Sequence, residues 1–147
     1  MAISLRKSRY SYENILHRKA FTVNIPCADQ VVIADYCGLV SGRKADKFAA
    51  AKITAVRSEK VDAPYIDECP MVVECKLIAH VEVGIHVHLI GKICDAKVDE
   101  SLIAEDHLPD IMRIKPLIYA PERRSYRTMG PCLAEAFSSG KKILNDH

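Results

Sequence analysis

Apolar residues change their spacing along the chain, and each change marks an element. Ala2-Ile-Ser-Leu5 reads as a strand already under way, with no turn or cap before it. Tyr12 to His17 follows as a short helix. Ser11 is its candidate N-cap, because a hydroxyl there accepts from an orphan amide, and Glu13 suits the positive helix end. Phe21 to Ile25 alternates, is rich in β-branched and aromatic residues, and stops at Pro26, which predicts a strand. Asp29 caps a predicted helix from Val31 to Tyr36, with Gly38 supplying a left-handed terminus. After the Ser41-Gly-Arg loop, Asp46 to Ala51 reads as a second helix with Asp46 near its start.

From Met71 to Ile93 the spacing becomes two. Val73, Cys75, Leu77, Ala79, Val81 and Val83 are assigned to one face, and Glu74, Lys76 and His80 to the other. Gly84 interrupts the run at a turn or bulge. Beyond it Ile85, Val87 and Leu89 alternate with His86 and His88, so the two imidazoles point the same way. Lys97 to Asp110 is a polar, acidic loop with one helical turn. Ile114 to Tyr119 and Ser125 to Thr128 are expected to pair as a hairpin around Ala120-Pro-Glu-Arg, and Pro131 to Lys142 to close the chain as a helix entered at proline. No repeat, low-complexity tract or linker interrupts the pattern, so a single domain over 1–147 is expected.

Composition narrows the possibilities. A domain of 147 residues buries roughly 70% of the surface that its unfolded chain exposes, enough for a core without metal or disulfide support. Against 21 basic side chains stand 19 acidic ones, a formal charge of +2. That is too little to predict a nucleic-acid or membrane partner, and the lack of Trp weakens base stacking further. No stretch approaches the roughly 20 apolar residues of a membrane span. Six cysteines occur without a Cys-x-x-Cys pair, and the chain starts without the apolar run of a secretory signal. Both features read as reduced thiols in a cytoplasmic protein.

Arg6-Lys-Ser-Arg-Tyr-Ser11 gathers three cations and two serine hydroxyls just before a helix start. Free amides, hydroxyls and a neutralising cation are what a phosphate site needs. The competing reading is a solvated basic turn, and Lys47 taken alone is a surface lysine. His86 and His88 with Cys75 and His80 invite a metal, but on a strand Cys75 and His80 face opposite sides and no compact ligand set forms, so none is expected. Neither a nucleophile elbow nor Gly-x-Gly-x-x-Gly after a strand occurs.

Five ordered segments together resemble the flavin reductase-like FMN-binding split-barrel family, in particular its flavoredoxin-like branch. They are Ser4 to Ile15, Phe21 to Pro26, Ser41 to Phe48, Gly84 to Gly91 and Tyr126 to Gly130. The resemblance implies a mainly β fold with flanking helices, an antiparallel Greek-key split barrel. Family members carry an additional N-terminal segment that supplies the first barrel strands; this sequence begins inside the strand that follows, and a barrel incomplete on that side is expected.

The resemblance also selects the phosphate reading. It places Arg6, Lys7, Ser8 and Ser11 at the phosphate of FMN, brings Lys47 to the same group, sets His86 beside the flavin as the candidate catalytic residue, and gives Ser41, Gly42 and Tyr126 cofactor or subunit contacts. It implies a homodimer and an FMN flavoprotein that carries electrons or reduces flavin, with NAD(P)H or a redox protein as donor. The alternative is a non-catalytic binding or assembly module that keeps the barrel without flavin.

Overall fold

The computed structural model describes residues 1–145. Its framework is a four-stranded antiparallel sheet in the order β1-β6-β5-β2, made of β1 (Ala2–Arg6), β2 (Ala20–Ile25), β5 (Met71–Val83) and β6 (His86–Val98). Small two-stranded pairs flank it, β3 (Ala55–Arg57) with β4 (Pro64–Ile66) and β7 (Ile118–Ala120) with β8 (Ser125–Arg127). The sheet curls into a half-barrel, helped by β-bulges in the long hairpin between Glu74 and Cys75 and between Leu77 and Ala79, since a bulge bends its strand and adds twist. Gly84, at φ +57°, makes the tight turn of that hairpin, a conformation that costs glycine least.

Helix α1 (Tyr10–Arg18) packs on the buried face of the sheet. Its Tyr12, Ile15 and Leu16, spaced for one helical face, join Phe21, Val73, Cys75, Val87 and Leu89 in the core. Ile3 and Leu5 of β1 close the cluster, because their register opposite Leu89 and Val87 puts them on that face. Gly91 lets the ring of Phe21 through: a Cβ there would lie 2.6 Å from Phe21 Cζ. Helix α2 (Val31–Leu39) contacts the short α3 (Lys47–Ala51), and neither has a fully buried residue; α4 (Ile111–Ile114) precedes β7, and α5 (Lys141–Asn145) ends the described chain.

Several expectations are met and several are corrected. β1, β2, the Gly84 turn and the Asp46 cap are as expected; Asp46 accepts from the amides of Phe48 and Ala49 at 3.0 and 3.2 Å. Ser11 is not the cap of α1. The helix starts two residues earlier, at Tyr10, with Arg9 in the cap position and no side-chain capping bond. Asp29 sits in a 3-10 turn (Ala28–Gln30) ahead of α2, and Gly38 lies inside α2, whose extended C-cap is Val40.

The assigned face of β5 changes at its second bulge. Past that point Val81 pairs with His88 and Val83 with His86, on the side away from the buried Val87 and Leu89, so both valines are exposed. Glu74 was expected on the outer face but is fully buried, where the Lys60 amide donates to its Oε2 at 2.9 Å and Lys97 Nζ lies 3.6 Å from its Oε1. Ile114 ends α4 rather than starting a strand, and the helix expected from Pro131 gives way to irregular chain and turns before α5.

Candidate functional site

A concavity of about 900 Å³ lies where the end of β1 and the start of α1 meet the α2–α3 connection. That volume is in the usual range for ligand clefts, about 300–1,000 Å³. Cations dominate its wall: Arg9 from the start of α1, Arg43 and Lys44 from the loop, and Lys47 from the first turn of α3. Hydroxyls come from Ser11 and Ser41, and apolar surface from Leu5, Val40 and Phe48.

Local chemistry fixes the wall. Lys47 Nζ donates to the carbonyl of Cys37 in the last turn of α2, where a cation meets the negative end of the helix dipole. The Arg43 guanidinium pairs with Glu13 of α1 and stacks 5.0 Å from the centre of the Tyr10 ring. Gly42 lies under that ring, and a Cβ in its place would come within 3.1 Å of Tyr10 Cδ1. Ser41 Oγ accepts from the Arg43 amide at 3.3 Å. The one carboxylate in the lining, Asp46, is engaged with two backbone amides. Arg9, Lys44 and Lys47 therefore leave the cleft with a surplus of positive charge beside two hydroxyls, a donor set that fits a phosphate monoester.

Of the residues singled out from the sequence, Ser11, Ser41, Gly42 and Lys47 converge on this one cleft. Arg6, Lys7 and Ser8 lie outside its lining. Arg6 ends β1 opposite His86, and Lys7 Nζ is 2.6 Å from Glu82 of the long hairpin. That carboxylate raises the pKa of Lys7 and is itself lowered by the ammonium. His86 is half-buried on the outer face of the sheet, and His88 beside it shares a 3.0 Å hydrogen bond with Ser4 Oγ.

Tyr126 lies outside the cleft lining. Its hydroxyl donates to Asp35 of α2 at 2.9 Å, its ring packs 5.3 Å from Tyr119, and the bond to the carboxylate raises its pKa. It thus ties β8 to the helix that carries Cys37 and Gly38 to the cleft. Arg9, Arg43 and Lys44 were not singled out; their signal was adjacency to Ser8 and to Ser41-Gly42. Among the described residues no three His, Cys, Asp or Glu side chains are placed to hold a metal, and no helix is long and apolar enough to cross a membrane.

Residues 1–130 match the Flavin reductase like domain, so the chain belongs to that family, and the half-barrel sheet is the split-barrel fold of its members. It falls in the flavoredoxin branch. Flavoredoxin of Desulfovibrio vulgaris (Miyazaki F) is 48% identical, with a TM-score of 0.89 over 95% of this chain and 75% of that one. Flavoredoxin from Methanosarcina acetivorans is 32% identical, also with a TM-score of 0.89, over 97% of this chain and 75% of that one. An uncharacterized protein of Archaeoglobus fulgidus is 30% identical over 111 residues, 76% of this chain and 62% of that protein's length. The chain thus spans under two thirds of that curated relative. Family and fold support a flavin-related function.

Proposed function

We propose that this chain is an FMN-binding flavoprotein of the flavoredoxin type, which passes electrons to a partner or reduces flavin with NAD(P)H. The observation that carries the reading is the cationic, hydroxyl-lined cleft between α1 and α3, in a chain of this family. Bound FMN would supply the redox chemistry through its isoalloxazine. The chain's own residues bind and orient. Arg9, Lys44 and Lys47 would neutralise the phosphate, Ser11 and Ser41 would donate hydroxyl bonds to it, and Gly42 under the Tyr10 ring keeps the loop close to α1. His86 on the outer face would meet the electron donor or the flavin edge.

The reading includes a homodimer. Val81, Val83 and Ile85 are each more than half exposed around the tip of the long hairpin, and β1 forms an open sheet edge. A second copy of the chain would cover this apolar surface. The test is a titration of the purified protein with FMN, followed by visible absorption and quenching of flavin fluorescence, together with sedimentation to give the oligomeric state. Bound, yellow protein is the expected result; no binding in excess FMN overturns the reading. Anaerobic addition of NADH or NADPH then separates reductase from carrier, since only a reductase bleaches promptly.

A further inference from the structure

Away from the cleft, two cysteines line one hollow beyond the end of the β2–β5 ladder. The last paired residues are Ile25 and Met71, and two steps further along each strand come Cys27 and Cys69. Pro26 and Pro70 stand between, and their carbonyls bond outward to the amides of Leu117 and Asp99. In place of ladder bonds, the Gln30 side-chain amide bridges the two strands. It accepts from the Cys27 amide at 2.9 Å and donates to the carbonyl of Glu68 at 2.7 Å. Both cysteines line one hollow of about 380 Å³ together with Lys97 and Asp99.

We propose that Cys27 and Cys69 form a reversible disulfide when the protein meets a small-molecule disulfide. A disulfide requires Cα atoms about 4.4–6.8 Å apart, and the two cysteines follow the last paired residues, Ile25 and Met71, by two positions on each segment and line the same hollow. Both thiols are free and half-buried.

The exchange balances without an added electron source. The Cys27 thiolate attacks one sulfur of the small disulfide, breaking its S–S bond and releasing one small thiol. The Cys69 thiol then gives its proton to solvent and attacks the Cys27 sulfur, expelling the second small thiol, which takes up a proton. One small disulfide is reduced to two thiols as one protein disulfide forms. Burial, then the neighbouring charges of Cys27, Glu68 and Cys37, push the Cys69 thiol up to about 11. The second step therefore quickens as pH rises toward that value. The closed bond would link the entry of α2 to the start of β5, and so restrain the helix that forms one wall of the cleft.

The test is equilibration of the full chain with oxidised and reduced glutathione, acid quenching, alkylation and peptide mapping. The expected product is a Cys27–Cys69 linked peptide that dithiothreitol removes. It is lost in Cys27→Ser and in Cys69→Ser and kept in Cys37→Ser, and its rate of formation increases with pH. The proposal is overturned if Cys27 and Cys69 are each recovered alkylated in buffer oxidising enough to modify the exposed Cys94 and Cys132, or if Cys69 is recovered linked to Cys37. The wild-type map decides the matter even where a serine variant fails to fold.

Discussion

Gly91 and Phe21 are packed so closely that one cannot grow without moving the other. The position of Gly91 on β6 leaves room for the ring only because there is no Cβ, which would lie 2.6 and 2.8 Å from two ring carbons and 2.9 Å from Cys75 Cβ. Gly91→Ala should destabilise the fold by about 1–3 kcal/mol, the usual cost of overpacking, read as a lower urea midpoint. Gly91→Ala combined with Phe21→Leu should recover part of the loss, since residues in contact couple.

Cofactor affinity should depend on the cleft cations and not on basic residues outside it. Lys47→Gln and Arg9→Gln each remove a charge-assisted contact of about 1.5–3 kcal/mol, which is about ten- to a hundredfold in Kd. Lys7→Gln, whose ammonium is paired with Glu82, should leave the FMN Kd unchanged. Isothermal titration of the three variants makes the comparison.

The Tyr126 phenol, held protonated by its bond to Asp35, should titrate above its ordinary value of 10.0. The stabilisation from this bond is then fully present below about pH 10 and is lost as pH rises through the folded value. Ultraviolet titration of tyrosinate should show one late phenol, and Asp35→Asn should return it to the ordinary range.

Lys97 bonds to Asp95 at 2.9 Å and approaches Glu59 and the buried Glu74 at 3.6 Å each. These carboxylates, Asp95 foremost, push its pKa up to about 12, and the Lys97 ammonium in turn holds Asp95 below its ordinary 3.8. The Asp95 contribution is present above pH 3.8 and lost as pH falls through its lowered value. That of Lys97 is present below 10.5 and lost as pH rises through about 12. Lys97→Met, which strands Glu74, should lower the urea midpoint at neutral pH, with the deficit against wild type shrinking at both extremes. Denaturation series across pH read this directly.

What could be read in advance follows the range of the interactions concerned. β2 and the Asp46 cap depend on residues within a few positions, so alternation and a carboxylate before Lys47-Phe48 were enough. Ser11, Ser41, Gly42 and Lys47 sit in two short segments whose order carried the family resemblance, and they converge in space. Glu74 is buried with partners remote in sequence, the Lys60 amide and the Lys97 ammonium, and no period along β5 discloses them. Arg9 and Arg43 gain their place from how α1 docks beside the α2–α3 loop, through the pairing with Glu13 and the Tyr10 ring, contacts that spacing does not encode. The strand period likewise misled at Val81 and Val83, because it carries no sign of a bulge.

That bulge has a further consequence. Ile78 is the odd residue in the count between Leu77, which faces Gly91, and Ala79, which faces Ile90, and alternation on a strand is reset whenever one residue is added or removed. Deleting Ile78 would make Leu77 and Ala79 consecutive, so plain alternation would keep Val81 and Val83 outward opposite His88 and His86, and Glu82 within reach of Lys7. The surplus residue thus goes into curvature: without it the tip would offer a neighbouring molecule the same side chains from a straighter arm.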